Sequence, residues 1–116
     1  MHRYRELEIW KRAIDITVDV YELSKEFPDD ERFGLTSQIK RASVSVPSNI
    51  AEGAGRNSNK EFNQFLGIST GSLFEVETQL IIAEKLKFLT KEQINPVLEK
   101  SNELIKMTKS LKNKLV

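Results

Sequence analysis

The chain contains no cysteine and only one histidine among its 116 residues. Without cysteine it has neither a disulfide framework nor a thiolate metal site, which fits a reducing compartment. The single histidine, His2, lies at the start of the chain, where little neighbouring structure is expected to support a catalytic triad or a general base. These absences argue against the commonest forms of nucleophilic catalysis.

Long apolar runs and cofactor motifs are also missing. The first residues lack the hydrophobic stretch of a signal peptide, and no segment approaches the length of a membrane span. The Glu-x-x-His motif of di-iron bundles is absent, as is the Lys-Ser/Thr of a phosphate-binding loop. We therefore expect a cytoplasmic protein that is not an enzyme and that uses neither metal nor cofactor.

Charge is nearly balanced, with a formal net charge of +1, but it is distributed unevenly along the chain. Residues 1–31 contain five basic and nine acidic side chains, whereas residues 90–116 contain six basic and three acidic ones. Residues 32–58 form a second basic segment. Any affinity for nucleic acid would have to come from these two segments, because neutralising phosphates supplies most nonspecific binding.

Apolar residues recur at steps of three and four, which is typical of amphipathic helices. The pattern predicts helices over about 7–27, 35–53 and 59–87, and a fourth helix that begins near Thr90 or at Asn95-Pro96. Ser58 and Thr90 each precede a Glu or Gln three residues on, as in a capping box. With no strand pattern, the sequence predicts one all-α domain spanning residues 1–116, an antiparallel up-down-up-down four-helix bundle.

Two runs of small residues, 43–56 and 67–72, interrupt the otherwise bulky helices. They predict either close approach of two backbones or an open groove. Pro47 lacks an N–H and clashes with the carbonyl four residues back, so we expect the second helix to bend there. Ser45 and Ser48 are candidates to satisfy the freed backbone groups, and Gly53 is predicted to stop the helix.

Three large apolar residues lie off the core-facing stripe of the third helix. Phe74, Ile81 and Phe88 are seven residues apart, so on a helix they share a face about 100° from the core. Aligned exposed apolar side chains usually mark contacts. We interpret them as a candidate oligomer interface, with burial under the loop before the fourth helix as the alternative.

Two polar constellations are candidate sites. Asn49, Glu52 and Arg56 are spaced to share one side of a helix, either as a structural ion pair at its end or as a polar groove for a nucleotide or peptide, with Gln38, Thr70 or Gln79. The second constellation is basic, and its members are nucleic-acid candidates: Lys40, Arg41, Arg56, Lys60, Lys106, Lys109 and Lys112. Lysines at a helix C-terminus also complement its dipole and favour solubility, which is the structural alternative.

Three segments together resemble the bacterial family of 23S rRNA intervening sequence proteins. They are residues 32–53, 56–62 and 71–80, and the likeness covers nearly the whole chain. The most specific part is Pro-Ser-Asn-Ile-Ala-Glu-Gly, from Pro47 to Gly53. The resemblance implies a four-helix bundle that can assemble into a ring-like homopentamer, as in the related accessory proteins of diversity-generating retroelements, whose ring binds a reverse transcriptase and nucleic acid.

What the resemblance carries over is structural. It implies Pro47 as the bend, Gly53 as the helix stop, Glu52 with Arg56 as a polar pair, and Gly71-Ser72 as a close contact.

The leading interpretation is a non-enzymatic oligomeric scaffold that binds RNA or an RNA-handling protein such as a reverse transcriptase. A bundle that binds a small ligand or nucleotide in the polar groove, and a protein-only adaptor, are the alternatives.

Overall fold

The computed structural model describes residues 2–115 and contains four helices joined by short connections. They are α1 (Glu8–Ser24), α2 (Leu35–Ala54), α3 (Asn59–Lys85) and α4 (Lys91–Lys114). Short 3-10 turns at Tyr4–Glu6 and Asp29–Glu31 precede α1 and α2, and the described residues include no strand. Both α1 and α3 pack against α2 and α4, so the helices follow one another around a square. The predicted up-down-up-down bundle is confirmed.

The helix starts follow the predicted caps. The Ser58 side chain accepts a hydrogen bond from the backbone N–H of Glu61, and Thr90 forms a reciprocal capping box with Gln93. Each cap satisfies backbone donors that the first turn of a helix leaves unpaired. Because α4 begins at its Thr90 cap, Pro96 lies inside the helix and Asn95-Pro96 is not its start.

The helix ends differ from the sequence-based expectation. α3 stops at Lys85, two residues early, and Lys87 adopts a left-handed backbone with φ 65°. Phe88 therefore leaves the helix, and its ring packs 5.7 Å from the ring of Phe27, centre to centre. The prediction that Phe88 shares a helical face with Phe74 and Ile81 is wrong, because a turn redirects it toward the core.

The core is a single apolar cluster that lies between the four helices. Its members occupy the positions that the helical period marks, with Phe27 and Leu89 closing one end. The largest fully buried side chains include Phe62, Ile16, Ile39, Ile50, Leu66, Leu73, Leu80 and Leu104. Burial of such side chains contributes roughly 1.5–3 kcal/mol each, which makes this cluster the main source of stability.

Small residues line the contact between α2 and α3. The hydroxyls of Ser45 and Ser72 lie 2.8 Å apart, and buried Ser69 donates to the Val46 carbonyl at 2.9 Å. Ser45 also accepts a hydrogen bond from the amide of Asn49. Close approach of the two backbones, predicted from the small-residue runs, is thus achieved with the buried hydroxyls satisfied.

Gly53 does not stop α2, contrary to prediction. The helix continues through Ala54, and Gly53 does not adopt the positive φ of a left-handed helix stop. A Cβ at this position would lie 2.6 Å from the Cβ of Phe65 and 3.0 Å from Cδ1 of Phe62. Glycine is therefore required at position 53 because α3 lies so close.

Gly71 and Ser72 were both predicted to lie at a close contact. Gly71 faces open space, since a Cβ there would meet nothing within 4 Å. Only Ser72 therefore lies at the close contact, where its hydroxyl meets that of Ser45.

α2 continues through Pro47 as one helix, so the proline does not interrupt it, whereas the bend itself stays a prediction. Pro47 lacks the N–H that would bond to the carbonyl of Ser43. The hydroxyl of Thr17 in α1 lies 2.9 Å from that carbonyl and 3.0 Å from the carbonyl of Ala13. A neighbouring helix therefore satisfies the freed group, rather than Ser45 or Ser48 as expected.

Gly53→Ala should destabilise the fold, because the added methyl group would overlap Phe65 across the α2–α3 contact. We expect the free energy of unfolding, measured by urea denaturation, to fall by about 1–3 kcal/mol. Gly55→Ala is the matched control, since its Cβ would approach only backbone oxygens at 3.7 Å or more, and its φ of −85° suits alanine. Equal effects of the two substitutions would contradict the close-packing explanation.

Thr17→Val should remove the only side-chain donor described for the Ser43 carbonyl while nearly preserving shape. The expected loss is about 1–3 kcal/mol of unfolding free energy, because a partly buried acceptor is left unpaired. In a Pro47→Ala background the restored N–H can bond to Ser43, so the same substitution should cost less. A double-mutant cycle measures this coupling, and strict additivity would show that Thr17 acts independently of Pro47.

Candidate interaction surfaces

Apolar side chains occur all around α3, including its solvent side. Phe74 is 52% exposed and Ile81 is 42% exposed, as the sequence predicted for both. Other exposed apolar residues of this helix and its C-terminal cap are Ile68, Ile82 and Leu86. Because a helix with apolar residues on every side is normally buried on every side, α3 carries more apolar surface than its own bundle covers.

Phe74 and Ile81 lie on the side of α3 that adjoins α4. The amide of Asn63 donates to the backbone carbonyl of Lys112 in α4 at 3.1 Å, which fixes that side. Ile81 follows Asn63 by about five full turns, and Phe74 lies about 20° away in projection. Glu77, which lies between Phe74 and Ile81 in the sequence, accepts a 2.6 Å hydrogen bond from the hydroxyl of Ser101 in α4. We call the surface formed by Phe74 and Ile81 the α3–α4 face.

The proposed trio of Asn49, Glu52 and Arg56 does not form one site. The Asn49 amide is occupied by the backbone carbonyl and hydroxyl of Ser45, both at 2.8 Å. Arg56 pairs with Glu52 at 3.8 Å and lies over the ring of Phe65, 4.7 Å from its centre. Glu52 and Arg56 thus form the ion pair that the sequence offered as the structural alternative, and none of the cavities described in this structure is lined by Asn49, Glu52 or Arg56.

A polar groove does occur nearer the start of α2, between α2 and α3. It encloses about 450 Å³, and its lining comprises Phe33, Ser37, Gln38, Arg41, Ala42, Ser45, Ser72, Glu75 and Gln79. Two residues expected in a groove, Gln38 and Gln79, are therefore present, whereas Thr70 instead donates to the carbonyl of Leu66. The lining offers amides and one charge of each sign, but among its residues no nucleophile is paired with a base.

Two features of this groove have no signature in the sequence. Phe33, at its rim, is 88% exposed and lies beside the guanidinium of Arg32. The side-chain oxygen of Gln79 is buried without a hydrogen-bond partner among the described residues. Neither feature has a periodic signal, because Phe33 precedes α2 and the environment of Gln79 depends on how α2 and α3 pack.

Apart from Arg56, which pairs with Glu52, the basic candidates separate into two regions. Lys60 and Lys112 line one concavity of about 520 Å³ together with Asn63, Gln64, Gly67 and Leu115. Lys109 and Lys106 precede Lys112 on α4 by about one and two turns, and we call these four lysines the basic end. Lys40 and Arg41 lie near the other end of the bundle, where Lys40 packs over the ring of Tyr21 at 5.0 Å.

His2 is held rather than frayed. Its backbone N–H donates to the carbonyl of Ala54 at 2.9 Å, and its ring lies 4.8 Å from the ring of Phe62, centre to centre.

In residues 2–115, no group of three His, Cys, Asp or Glu side chains is placed to hold a metal ion. None of the helices described is long and apolar enough to cross a membrane.

The fold and these surfaces define a class: an all-α, up-down-up-down bundle with apolar and basic surfaces left open. The family model of the 23S rRNA-intervening sequence protein matches residues 5–110. The chain belongs to that family. Among curated proteins, no match was found.

A solved structure supports the same fold. The chain is similar to a protein of unknown function from the S23 ribosomal protein family of Bacteroides thetaiotaomicron, with a TM-score of 0.82 and 24% sequence identity. The similarity covers 90% of this chain and 97% of the other. At this identity the likeness establishes the bundle architecture alone.

Proposed function

We propose that this protein is a non-enzymatic scaffold that assembles with copies of itself and binds RNA or an RNA-handling protein. The observation that carries the proposal is the apolar solvent side of α3, above all Phe74 and Ile81 on the flank that adjoins α4. Family membership and the resemblance to retroelement accessory proteins favour a ring of five subunits in the cytoplasm and make a reverse transcriptase a candidate partner.

Self-assembly explains why α3 is apolar on its outer side. Large apolar side chains exposed side by side mark interaction surfaces in soluble proteins. Between Gln64 and Lys85 the only acidic residue that is exposed on α3 is Glu75, since Glu77 and Glu84 are partly buried. Contact with a second protein surface removes these apolar side chains from water, which lowers the free energy of the assembled state.

RNA binding is assigned to the basic end. Lys60 and Lys112 share a concavity, and no acidic residue follows Glu103 in the sequence. Assembly would multiply these lysines around a ring, so a subunit of nearly zero net charge can still present a strong local positive potential. Such binding would be mainly to phosphates and therefore sensitive to salt.

Phe74→Glu combined with Ile81→Glu should convert the assembled protein to a monomer, because burying two carboxylates in the contact is unfavourable. Light scattering on a sizing column measures the mass, and circular dichroism checks that the helices remain. Asn57→Glu combined with Ser110→Glu, at exposed polar positions away from exposed apolar surface, is the control and should leave the mass unchanged. An unchanged mass for the Phe74 and Ile81 variant would refute the assigned interface.

Lys60→Glu combined with Lys109→Glu should weaken binding of single-stranded RNA. The slope of log affinity against log salt should decrease by about 0.7 for each phosphate that is no longer neutralised. Lys40→Glu combined with Arg41→Glu makes the same change in charge away from the basic end, and should leave the slope unchanged. Equal effects would indicate a response to overall charge rather than to this site, and no RNA binding by the unmodified protein would leave the RNA-handling protein as the partner.

A further inference from the structure

We infer that the polar groove between α2 and α3 binds a guanine base, carried either by a free nucleotide or by single-stranded RNA. The groove lies outside the basic end, and its use requires neither self-assembly nor phosphate contacts at those lysines. The juxtaposition behind the inference is a set of unpaired polar groups on facing walls with an exposed aromatic ring at the rim.

The register of α2 against α3 places an arginine and a glutamate on facing walls of the groove. The hydroxyls of Ser45 and Ser72, which lie 2.8 Å apart, join the two helices at one end of the lining. Because α2 and α3 run in opposite directions, the residue about one turn before Ser45 faces the residue about one turn after Ser72. Arg41 therefore lies across the groove from Glu75.

Arg41 and Glu75 face each other without pairing. Within residues 2–115 neither side chain takes part in an ion pair, and both are exposed. A guanidinium only donates hydrogen bonds and a carboxylate only accepts them. A ligand that fits between them needs acceptors on the side of Arg41 and donors on the side of Glu75.

Gln38 and Gln79 line the next turn of the same two walls and add amides to them. Gln38 is exposed, whereas the side-chain oxygen of Gln79 is buried without a hydrogen-bond partner among the described residues. An unpaired acceptor away from water is unfavourable. Since the last torsion of a glutamine side chain is broad, its rotation can turn this oxygen to a donor in the groove.

Phe33 provides a flat apolar surface at the rim of the groove. Its side chain is 88% exposed, and the guanidinium of Arg32 lies 5.4 Å from the ring centre. The turn that carries Phe33 is fixed, because Glu31 accepts hydrogen bonds from the backbone N–H groups of Gly34 and Leu35, at 2.9 and 3.0 Å. An aromatic ring held in water is suited to stacking with a nucleobase.

Guanine matches this arrangement, whereas adenine does not. The N1–H and 2-amino groups of guanine donate from one side and fit the two oxygens of the Glu75 carboxylate, while O6 and N7 accept from the other side and fit Arg41. Adenine has an unprotonated N1, which would set a lone pair against the carboxylate. The groove volume of about 450 Å³ lies within the range of small-ligand sites, roughly 300–1,000 Å³.

Titration calorimetry with free mononucleotides tests the assigned base. Guanosine monophosphate should bind the unmodified protein about 10-fold more tightly than adenosine monophosphate, because adenine leaves Glu75 unpaired. Inosine monophosphate, which lacks only the 2-amino group, should also bind about 10-fold more weakly than guanosine monophosphate. Equal binding of the three nucleotides, or no binding of guanosine monophosphate at millimolar concentration, would overturn the inference.

Glu75→Gln should lower the affinity for guanosine monophosphate about 10-fold, because a donor replaces one of the two acceptor oxygens. Glu99→Gln makes the same change in charge at an exposed position of α4 outside the groove, and this matched control should bind like the unmodified protein. Phe33→Leu removes the flat ring but keeps an apolar side chain, so it should also weaken binding. Circular dichroism checks that the helices remain, and undiminished affinity of the Glu75 variant would show that the base does not bind here.

Oligonucleotides distinguish the two sources of the base. If RNA supplies it, a short uridine oligomer with one central guanosine should bind more tightly than uridine alone, and Glu75→Gln should remove the difference. If a free nucleotide is the ligand, the guanosine should add nothing, while guanosine monophosphate still binds. A monomeric protein whose basic end binds no RNA would refute the proposed function and leave the expected binding of guanosine monophosphate in place.

Discussion

The close contact between α2 and α3 governs how α3 is oriented in the bundle and which of its residues stay exposed. A glycine at position 53 and the hydroxyls of Ser45, Ser69 and Ser72 let the two backbones approach until side chains of normal size would no longer fit. Such a contact has little tolerance, because interiors are packed as densely as organic crystals. It fixes the rotation of α3 and hence decides which of its apolar residues enter the core.

That rotation also explains why α3 remains partly uncovered. Leu66, Leu73 and Leu80 occupy the core side, so Phe74 and Ile81 are turned toward the edge of α4 and stay exposed. The same packing places Glu77 against Ser101 and Asn63 against the end of α4. The bundle thus encloses its core, while Phe74 and Ile81 remain exposed on its outer surface.

Much of the fold could be predicted, but the candidate sites could be predicted only in part. Phe74 and Ile81 follow from helical spacing, because the projection of a side chain depends on local geometry alone. Asn49 could not be placed in this way, since a serine one turn earlier competes for its amide. The same spacing misplaces Phe88, because α3 ends two residues before the apolar pattern suggests and the ring turns toward Phe27.

The four helices, the caps of α3 and α4 and the core positions follow from sequence patterns alone, because these depend on periodicity and on residues within a few positions of one another. Helix packing, in contrast, explains the need for glycine at position 53, the role of Thr17 in satisfying the carbonyl freed by Pro47, and the position of the polar groove. Each of these depends on a distance between helices. The physical reason is that a sequence pattern records which side of a helix is apolar, whereas the partner across the gap is chosen by packing.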